Sequence, residues 1–338
     1  MTNNNSTKPQ EYFGGQALIE GVMMQGSGGY CMASRSADGR IVYQNGSRRA
    51  LKARHPFFGL PFIRGVVSFC ESMYVGFSSL AWSAFQSGEE EEEKMTWKDM
   101  AIAIISALVL TIVFFVVLPV FAASFTLEYL GPFGRSLTEG LIRVALFLGY
   151  VLAISRIPDI HRVFQYHGAE HKTINCWEAG LPLTVENVQA QTRLNCRCGT
   201  SFILMSMIIM VITFTFIGNT DVLGRILTKI AAMPVITGIA YEIFRLPLRY
   251  PDNLIVRALT TPGLWLQHLT TQEPDPDQIE VALTALLLVP GFPGAEYNDL
   301  PPNTISEADL NAETNAQTNT PPAQQAAPAA ATPNTEGI

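Results

Sequence analysis

Two long segments without a charged residue constrain the fold of this chain most. Residues 100–127 and 199–220 contain no Asp, Glu, Lys or Arg, and about 20 apolar residues are enough to cross a bilayer. Two weaker candidates, 137–157 and 223–246, carry charged residues near their starts. These two could also be buried helices of a soluble core, but they follow the strong candidates at short intervals. The pattern therefore favours four membrane crossings.

Charge predicts how the chain would lie in the membrane. With four crossings, one side holds most of the Lys and Arg residues, and the other side has only Arg135, Arg143, Arg225 and Lys229 near its two short loops. Because cytoplasmic loops are enriched in positive charge, we expect a multi-pass protein of the cytoplasmic (inner) membrane with both termini in the cytoplasm. The first ten residues are polar and do not resemble a signal peptide.

The expected fold class is mainly α, a polytopic α-helical membrane protein with a small N-terminal cytoplasmic β-hairpin element and cytoplasmic helices. The sequence divides into six parts: residues 1–12, disordered; 13–60, the β-containing cytoplasmic element; 62–98, a membrane-associated helix and an acidic linker; 99–250, the transmembrane bundle with the cytoplasmic histidine segment 156–199; 251–297, C-terminal cytoplasmic helices; and 298–338, a disordered tail.

Two N-terminal features bear on this division. Asp38-Gly39 lies between the alternating segments 30–35 and 40–44, which predicts a β-hairpin. The glycine-rich stretch 14–26 contains a single acid, Glu20, which is interpreted either as a ligand or base or as an acceptor of backbone N–H groups in a turn. The sequence does not decide whether the apolar helix 62–86 enters the membrane. Packing of this helix against the membrane-spanning bundle is favoured.

Three of the five histidines fall in one short segment, 160–180. Pro158 and Asp159 predict a helix start with Asp159 as N-cap, and Gly180 predicts its end. At 3.6 residues per turn, His167 and Glu170 lie on the apolar face of this helix. Two ionisable groups therefore interrupt a hydrophobic stripe.

The spacing of these groups predicts a metal site. His167 and His171 are one turn apart with Glu170 beside them, the mirror of the zinc-peptidase pattern in which two imidazoles bind the metal and a carboxylate acts as base. Zinc is the divalent metal that this donor set favours. The alternative is a polar helix face in which Glu170 pairs with Arg162, with Lys172 or with a protonated histidine.

Further ligands must come from elsewhere, and the candidates are His161, Glu178, Cys198 and Glu242. Cysteines in a reducing compartment are thiols or metal ligands rather than disulfides, and a chain reversal over 180–195 would return Cys198 to the histidine helix. A carboxylate such as Glu242 near the end of a membrane span costs free energy unless it is paired or functional. It could be a metal ligand, or Arg245 could neutralise it.

Five segments together resemble the YqhQ-like family of bacterial membrane proteins over residues 13–290: GGQALIEGVMMQG at 14–26, RGVVSFCES at 64–72, HRVFQYHGAEHKTINCWEAG at 161–180, RCGTSF at 197–202 and LTTQEPDPDQIEVAL at 269–283. The resemblance implies a multi-span protein and a predicted metal-dependent enzyme of unknown function. The positions that match the family's motifs are His161, His167, Glu170, His171, Glu178, Glu186 and Glu242. Where the family pattern has His-Pro before Arg-Cys-Gly-Thr, this chain has Asn195-Cys196.

Three hypotheses follow for function. The first is a metal-dependent enzyme, a hydrolase of a peptide or lipid-linked bond, with Glu170 as general base. The second is a non-catalytic membrane scaffold or assembly factor that binds a cytoplasmic protein. Transport is the weakest, because few ionisable groups are expected within the spans. An acidic chain of net charge −7 also lacks the basic face that nucleic-acid binding needs.

Overall fold

The computed structural model describes residues 12–47, 55–87, 97–125, 127–216, 222–250, 252–293, 304–306 and 308–309. Most of the segments expected to be disordered, and the acidic run 89–93, lie outside these ranges. The described part is mainly helical with a small N-terminal sheet, which confirms that much of the predicted fold class.

Five strands form one sheet in chain order, namely β1 (Gly14–Leu18), β2 (Gly21–Gln25), β3 (Tyr30–Arg35), β4 (Ile41–Gly46) and β5 (Thr304–Ser306). The first four are antiparallel neighbours, and the β3–β4 hairpin turns at the predicted Asp38-Gly39, where Gly39 has a φ of 83°. β5 pairs in parallel with β4, so this short piece of the expected tail is ordered by sheet pairing.

The β1–β2 hairpin was not predicted from the sequence. Its glycine-rich strands lack the alternation by which strands are recognised and contain a single β-branched residue, Val22. Glu20 occupies the turn with a φ of 50°. Its carboxylate pairs with Arg162 and accepts a 3.2 Å hydrogen bond from the Tyr166 hydroxyl, so its role is to join this turn to the histidine helix.

The helices are α1 (Ile63–Ser87), α2 (Trp97–Ile112), α3 (Leu118–Ser124), α4 (Leu127–Ile154), α5 (Pro158–Glu178), α6 (Val185–Gln189), α7 (Gly199–Phe216), α8 (Val222–Phe244), α9 (Leu246–Arg249), α10 (Leu254–Thr270) and α11 (Pro276–Leu287). A π-helical turn, Val113–Val117, joins α2 to α3, and a 3₁₀ turn, Pro56–Gly59, precedes α1. α11 begins after the N-cap residue Asp275, which forms a capping box with Gln278.

Within the described ranges, three helical stretches are long and apolar enough to cross a membrane, by length and composition: Ile105–Ser124, Phe133–Ile154 and Ile226–Phe244. At most 22% of each stretch is buried within the protein, so most of its apolar surface faces outward. The expected fourth crossing corresponds to α7, whose described 18 residues extend only about 27 Å at 1.5 Å per residue. α7 is therefore a shorter apolar helix, and residues 217–220 of the predicted span lie outside the described part.

The expectation of few ionisable groups within the spans is wrong. Arg135, Glu139, Arg143 and Lys229 are each at most 3% exposed. Glu139 accepts hydrogen bonds from both Arg143, at 2.7 Å, and Lys229, and Arg143 also donates to the Phe115 carbonyl in the π-helical turn at 2.6 Å. The apolar composition of these segments does not reveal that their charged side chains are buried inside the bundle.

The histidine helix α5 is packed into the core rather than lying on a surface. Its residues Tyr166, Ala169 and Ile174 are buried against β1, β2 and α11 in the main hydrophobic cluster. α1 bridges the two parts of the protein, because it packs on α8 near Gly65 and on the sheet near Gly76. This placement agrees with the favoured packing of 62–86 against the bundle.

Candidate metal centre

The start of α5 differs from the prediction. Ile157 is the N-cap, with Pro158 following it, and Asp159 lies in the first turn, where its charge complements the helix dipole. The helix ends at Glu178, and Gly180 adopts the left-handed conformation with a φ of 68°. Thr184 caps α6 by accepting a hydrogen bond from the Asn187 N–H.

Gly168 lies inside α5 at a position where another segment of the chain packs too closely for a side chain. A Cβ at this position would lie 1.9 Å from the Gln272 carbonyl oxygen, and the Gln272 N–H donates to the Phe164 carbonyl at 2.8 Å. The segment after α10 can therefore lie directly on the face of α5 that carries His167.

The imidazole of His167 is held from both sides. Its Nδ1 is 2.8 Å from the carbonyl oxygen of Thr270, the last residue of α10, and its Nε2 is 3.1 Å from Cys198 Sγ. Because a carbonyl only accepts, Nδ1 carries a proton and Nε2 faces the sulfur. Cys198 Sγ also lies 3.1 Å from the Thr200 hydroxyl.

His171 repeats this arrangement one turn later. Its Nδ1 donates to the Arg193 carbonyl at 2.6 Å, and its ring centroid is 4.4 Å from that of His167. In metal sites the second ring nitrogen of a histidine ligand is usually held in this way by a carbonyl or carboxylate. Both rings are therefore oriented with Nε2 as the atom left to bind a cation.

The ligand atoms of His167, His171 and Cys198 all lie within 4.8 Å of one another. Around a tetrahedral zinc with bonds of about 2.0–2.3 Å, neighbouring ligand atoms are roughly 3.3–3.8 Å apart, so a shift of about 1 Å would close the set. Two imidazoles and one thiolate are donors that zinc accepts. The residues present fit a divalent cation with one coordination position left open.

The charges in this cluster favour a thiolate. Burial by itself would raise the pKa of Cys198, but the neighbouring His167, through its charge and hydrogen bond, lowers it well below the ordinary thiol value. Burial opposes the charged form of His167 too, yet the Cys198 thiolate and Glu170 raise its pKa to about 9. Without a cation, these two shifts both favour the imidazolium–thiolate form of the pair over the neutral form.

Glu170 lies beside this group and is 5% exposed. Burial raises its pKa, while the two imidazoles and the Gly15 N–H act in the opposite direction. A Cβ on Gly15 would lie 2.9 Å from Glu170 Cγ, so β1 packs directly on the carboxylate. Glu170 is thus a buried acid next to the cluster but is not one of the three converging groups.

The structure does not bring the other candidate ligands to the cluster. His161 is exposed on the first turns of α5. Glu178 pairs with Arg197. Glu242 receives a 2.8 Å hydrogen bond from Arg64 Nε at the end of α8, so its neutralising partner is Arg64 rather than Arg245.

The loop that carries Cys198 is fixed by a fully buried glutamine. Gln267 accepts from the Asn195 N–H at 2.8 Å and donates to the Asn195 carbonyl at 2.7 Å and to Ser201 Oγ at 2.8 Å. The Asn195 side chain donates to the Asn175 side-chain oxygen and accepts from the Arg197 N–H. It is not among the converging ligands.

Sequence reasoning missed the groups that orient the two imidazoles. Thr270 and Arg193 act through backbone carbonyls, which every residue possesses, so no residue type announces them. The sequence offered a weak indication of the role of Gln267, because it is a polar residue on a largely apolar helix.

Comparison with known proteins gives a consistent family. The family model described as "Protein of unknown function (DUF1385)" matches residues 60–290. The uncharacterized protein YqhQ of Bacillus subtilis (strain 168) is 38% identical over 285 residues, which cover 80% of this chain and 90% of that protein. No solved structure matches the chain. The matches confirm the resemblance found in the sequence.

Proposed function

The chain belongs to the YqhQ-like family of proteins of unknown function, DUF1385, and we propose that it is a membrane-bound metal-dependent enzyme. The observation that carries the proposal is the convergence of His167, His171 and Cys198 within 4.8 Å. Zinc is the proposed ion, and hydrolysis is the proposed reaction class. The site would lie on the cytoplasmic side of the inner membrane, with both termini in the cytoplasm.

The three ligands have distinct supports. The carbonyls of Thr270 and Arg193 fix the two imidazoles, and the loop held by Gln267 fixes the thiolate. A zinc ion held by such a set, with one position open, supplies Lewis-acid activation of a water or carbonyl group. The protein contributes orientation and a largely water-excluded surrounding.

Glu170 is the proposed general base. A carboxyl group whose pKa is raised by burial is suited to accept and return a proton near neutral pH. The hydrogen bond from the Gly15 N–H and the packing of β1 hold the carboxylate in place. Glu170 therefore acts on a proton and not as a ligand.

Metal analysis of the purified full-length protein tests the proposal. We expect one zinc ion per chain in the wild type and its loss in His167→Ala, His171→Ala and Cys198→Ala. Cys196→Ser is the matched control, because this cysteine is two residues away and exposed. His161→Ala, Glu178→Ala and Glu242→Ala should keep the ion.

Absence of a bound metal ion would contradict the proposal. A wild-type protein that is folded but binds no divalent metal after purification without chelators contradicts the enzyme proposal. That outcome favours the alternative function, a non-catalytic membrane scaffold that binds a cytoplasmic protein.

A further inference from the structure

We propose that Thr200 is a positioning residue of the metal centre, whose hydroxyl donates a hydrogen bond to the Cys198 sulfur, holds this ligand and reduces the charge that the sulfur gives to the ion. This inference rests on the proposed function and adds a residue outside the ligand set that tunes the same site. The observation behind it is the distance of 3.1 Å between Thr200 Oγ1 and Cys198 Sγ.

The chemistry of the two groups determines the direction of this hydrogen bond. A hydroxyl carries one proton and two lone pairs, whereas a metal-bound cysteine is a thiolate and can only accept. Thr200 is therefore the donor whenever Cys198 serves as a ligand. Hydrogen bonds to an ionised acceptor are roughly twice as strong as those between neutral groups, so the contact matters most in the metal-bound protein.

The position of Thr200 in its helix explains why its hydroxyl reaches the sulfur. Further along α7, Ser206 donates to the Phe202 carbonyl at 2.8 Å and Thr215 donates to the Val211 carbonyl at 2.7 Å. These are the usual bonds of hydroxyl side chains inside a helix. Thr200 lies in the first turn of α7, where no helical turn precedes it, and its hydroxyl is directed to Cys198 instead.

A second threonine supports this hydroxyl from α10. The side-chain oxygen of Thr270 lies 3.4 Å from that of Thr200, and Thr270 is 3% exposed. Because Thr200 directs its proton at the sulfur, its oxygen can accept a hydrogen bond from Thr270. The Thr270 carbonyl also holds His167. One residue of α10 therefore supports a histidine ligand directly and the cysteine ligand through Thr200.

The backbone that carries the two groups is held in place. The Phe202 N–H donates to the Cys198 carbonyl at 3.3 Å, which closes the first turn of α7. From α10, the fully buried Gln267 donates to Ser201 Oγ at 2.8 Å. The short segment from Cys198 to Ser201 is thus fixed at both the helix turn and the neighbouring helix, so the hydroxyl and the sulfur face each other before an ion binds.

The consequence for the site is electronic as well as geometric. Hydrogen bonds to a ligating sulfur are one of the means by which proteins tune a bound metal. A thiolate that accepts a hydrogen bond donates less charge, and an ion with a less donating ligand is a stronger Lewis acid toward a group at its open position. Thr200 therefore acts through Cys198 and need not touch the substrate.

Absorption spectroscopy of the full-length protein loaded with Co²⁺ in place of zinc tests the inference, because the sulfur-to-cobalt charge-transfer band reports on the thiolate itself. Thr200→Val removes the donor and keeps the shape of the side chain. We expect the band to move to longer wavelength and the zinc affinity to fall about tenfold. Thr200→Ala, which also lacks the hydroxyl but adds no apolar group, should move the band in the same direction.

Two variants separate the hydroxyl from the packing of the helix. Thr200→Ser keeps the donor and should restore the wild-type band and affinity. Thr215→Val is the matched control, because it is the same substitution in the same helix at a hydroxyl that bonds to a helical carbonyl. It should leave both measurements unchanged.

The possible failures are distinguishable. An unshifted band and a wild-type zinc affinity in Thr200→Val and Thr200→Ala overturn the inference, while metal binding by the wild type leaves the proposed function standing. Equal shifts in Thr200→Val and Thr200→Ser also overturn it, because the hydroxyl would then not be the cause. A folded wild type that binds neither Co²⁺ nor zinc overturns both the inference and the proposed function.

Discussion

His167 Nε2 lies 3.1 Å from Cys198 Sγ although 31 residues separate the two along the chain. α6 and the segment that follows it reverse the chain and return it to α5, where the Asn175 amide donates to the Thr192 and Leu194 carbonyls at 2.7 and 3.1 Å. The two histidines lie one turn apart on one helix, so their proximity follows from the local sequence. The thiol comes from a distant segment that only the tertiary structure brings to them.

This pair predicts how the stability of the metal-free protein depends on pH. The pKa of His167 is raised to about 9 and that of Cys198 is lowered, from unfolded values of about 6.5 and 8.5. The raised histidine contributes stability that is lost as pH rises toward 9, and the lowered cysteine contributes stability that is lost as pH falls through its folded pKa. Where the two pH ranges overlap, below about pH 8.5, the two slopes offset each other, because the folded state holds one more proton on His167 and one fewer on Cys198 than the unfolded state.

Thermal unfolding of the chelator-treated protein across pH checks this expectation. The difference in stability between the wild type and Cys198→Ser should be nearly flat just below about pH 8.5 and should not grow toward acid pH. A difference that grows steadily toward acid pH would contradict the imidazolium–thiolate pair.

Gly168→Ala should destabilise the protein and weaken metal binding. The new Cβ would meet the Gln272 carbonyl at 1.9 Å, and backbone must move to relieve the overlap, at a cost of about 1–3 kcal/mol. Because Gln272 lies two residues after Thr270, the shift would also disturb the carbonyl that orients His167. Zinc titration and chemical unfolding measure the two effects.

Gly149→Ala in α4 is the control, since nothing lies within 4 Å of a Cβ there. It should leave zinc affinity unchanged and should not destabilise the protein, because alanine is favoured over glycine inside a helix by up to about 1 kcal/mol. Wild-type behaviour of Gly168→Ala would show that the segment after α10 does not lie on α5 as described.

Glu139→Gln should be among the most destabilising single changes in the bundle. The substitution leaves Arg143 and Lys229 buried without the carboxylate that they share, and breaking a buried ion pair costs about 3–5 kcal/mol. The free energy of unfolding in mild detergent is the measurement.

Glu242→Gln is the comparison, because this carboxylate and its partner Arg64 are 26% and 31% exposed. Half-exposed pairs are worth about 0–1 kcal/mol. Equal costs for Glu139→Gln and Glu242→Gln would mean that Glu139 is not enclosed within the bundle.

Local patterns determined much of the fold in advance. The apolar runs predicted helices, Asp38-Gly39 predicted the β3–β4 hairpin, and the one-turn spacing put His167 and His171 side by side. Each of these depends on residues within a few positions of one another. The β1–β2 hairpin escaped because its glycines carry no side-chain pattern, and its strands are specified by pairing with β3 and packing on α5.

Long-range packing decided the rest of the candidate site. Sequence offered His161, Glu178, Cys198 and Glu242 as equal candidates to join the two histidines, since nothing in the chain says which distant segment returns. The tertiary structure brought only Cys198 to the cluster and gave Glu242 an arginine that lies 178 residues away. It also supplied the two orienting carbonyls and enclosed the charges of α4. Periodicity fixes what lies on one helix, whereas contacts between helices depend on the complementary shape and charge of surfaces that only the folded chain brings together.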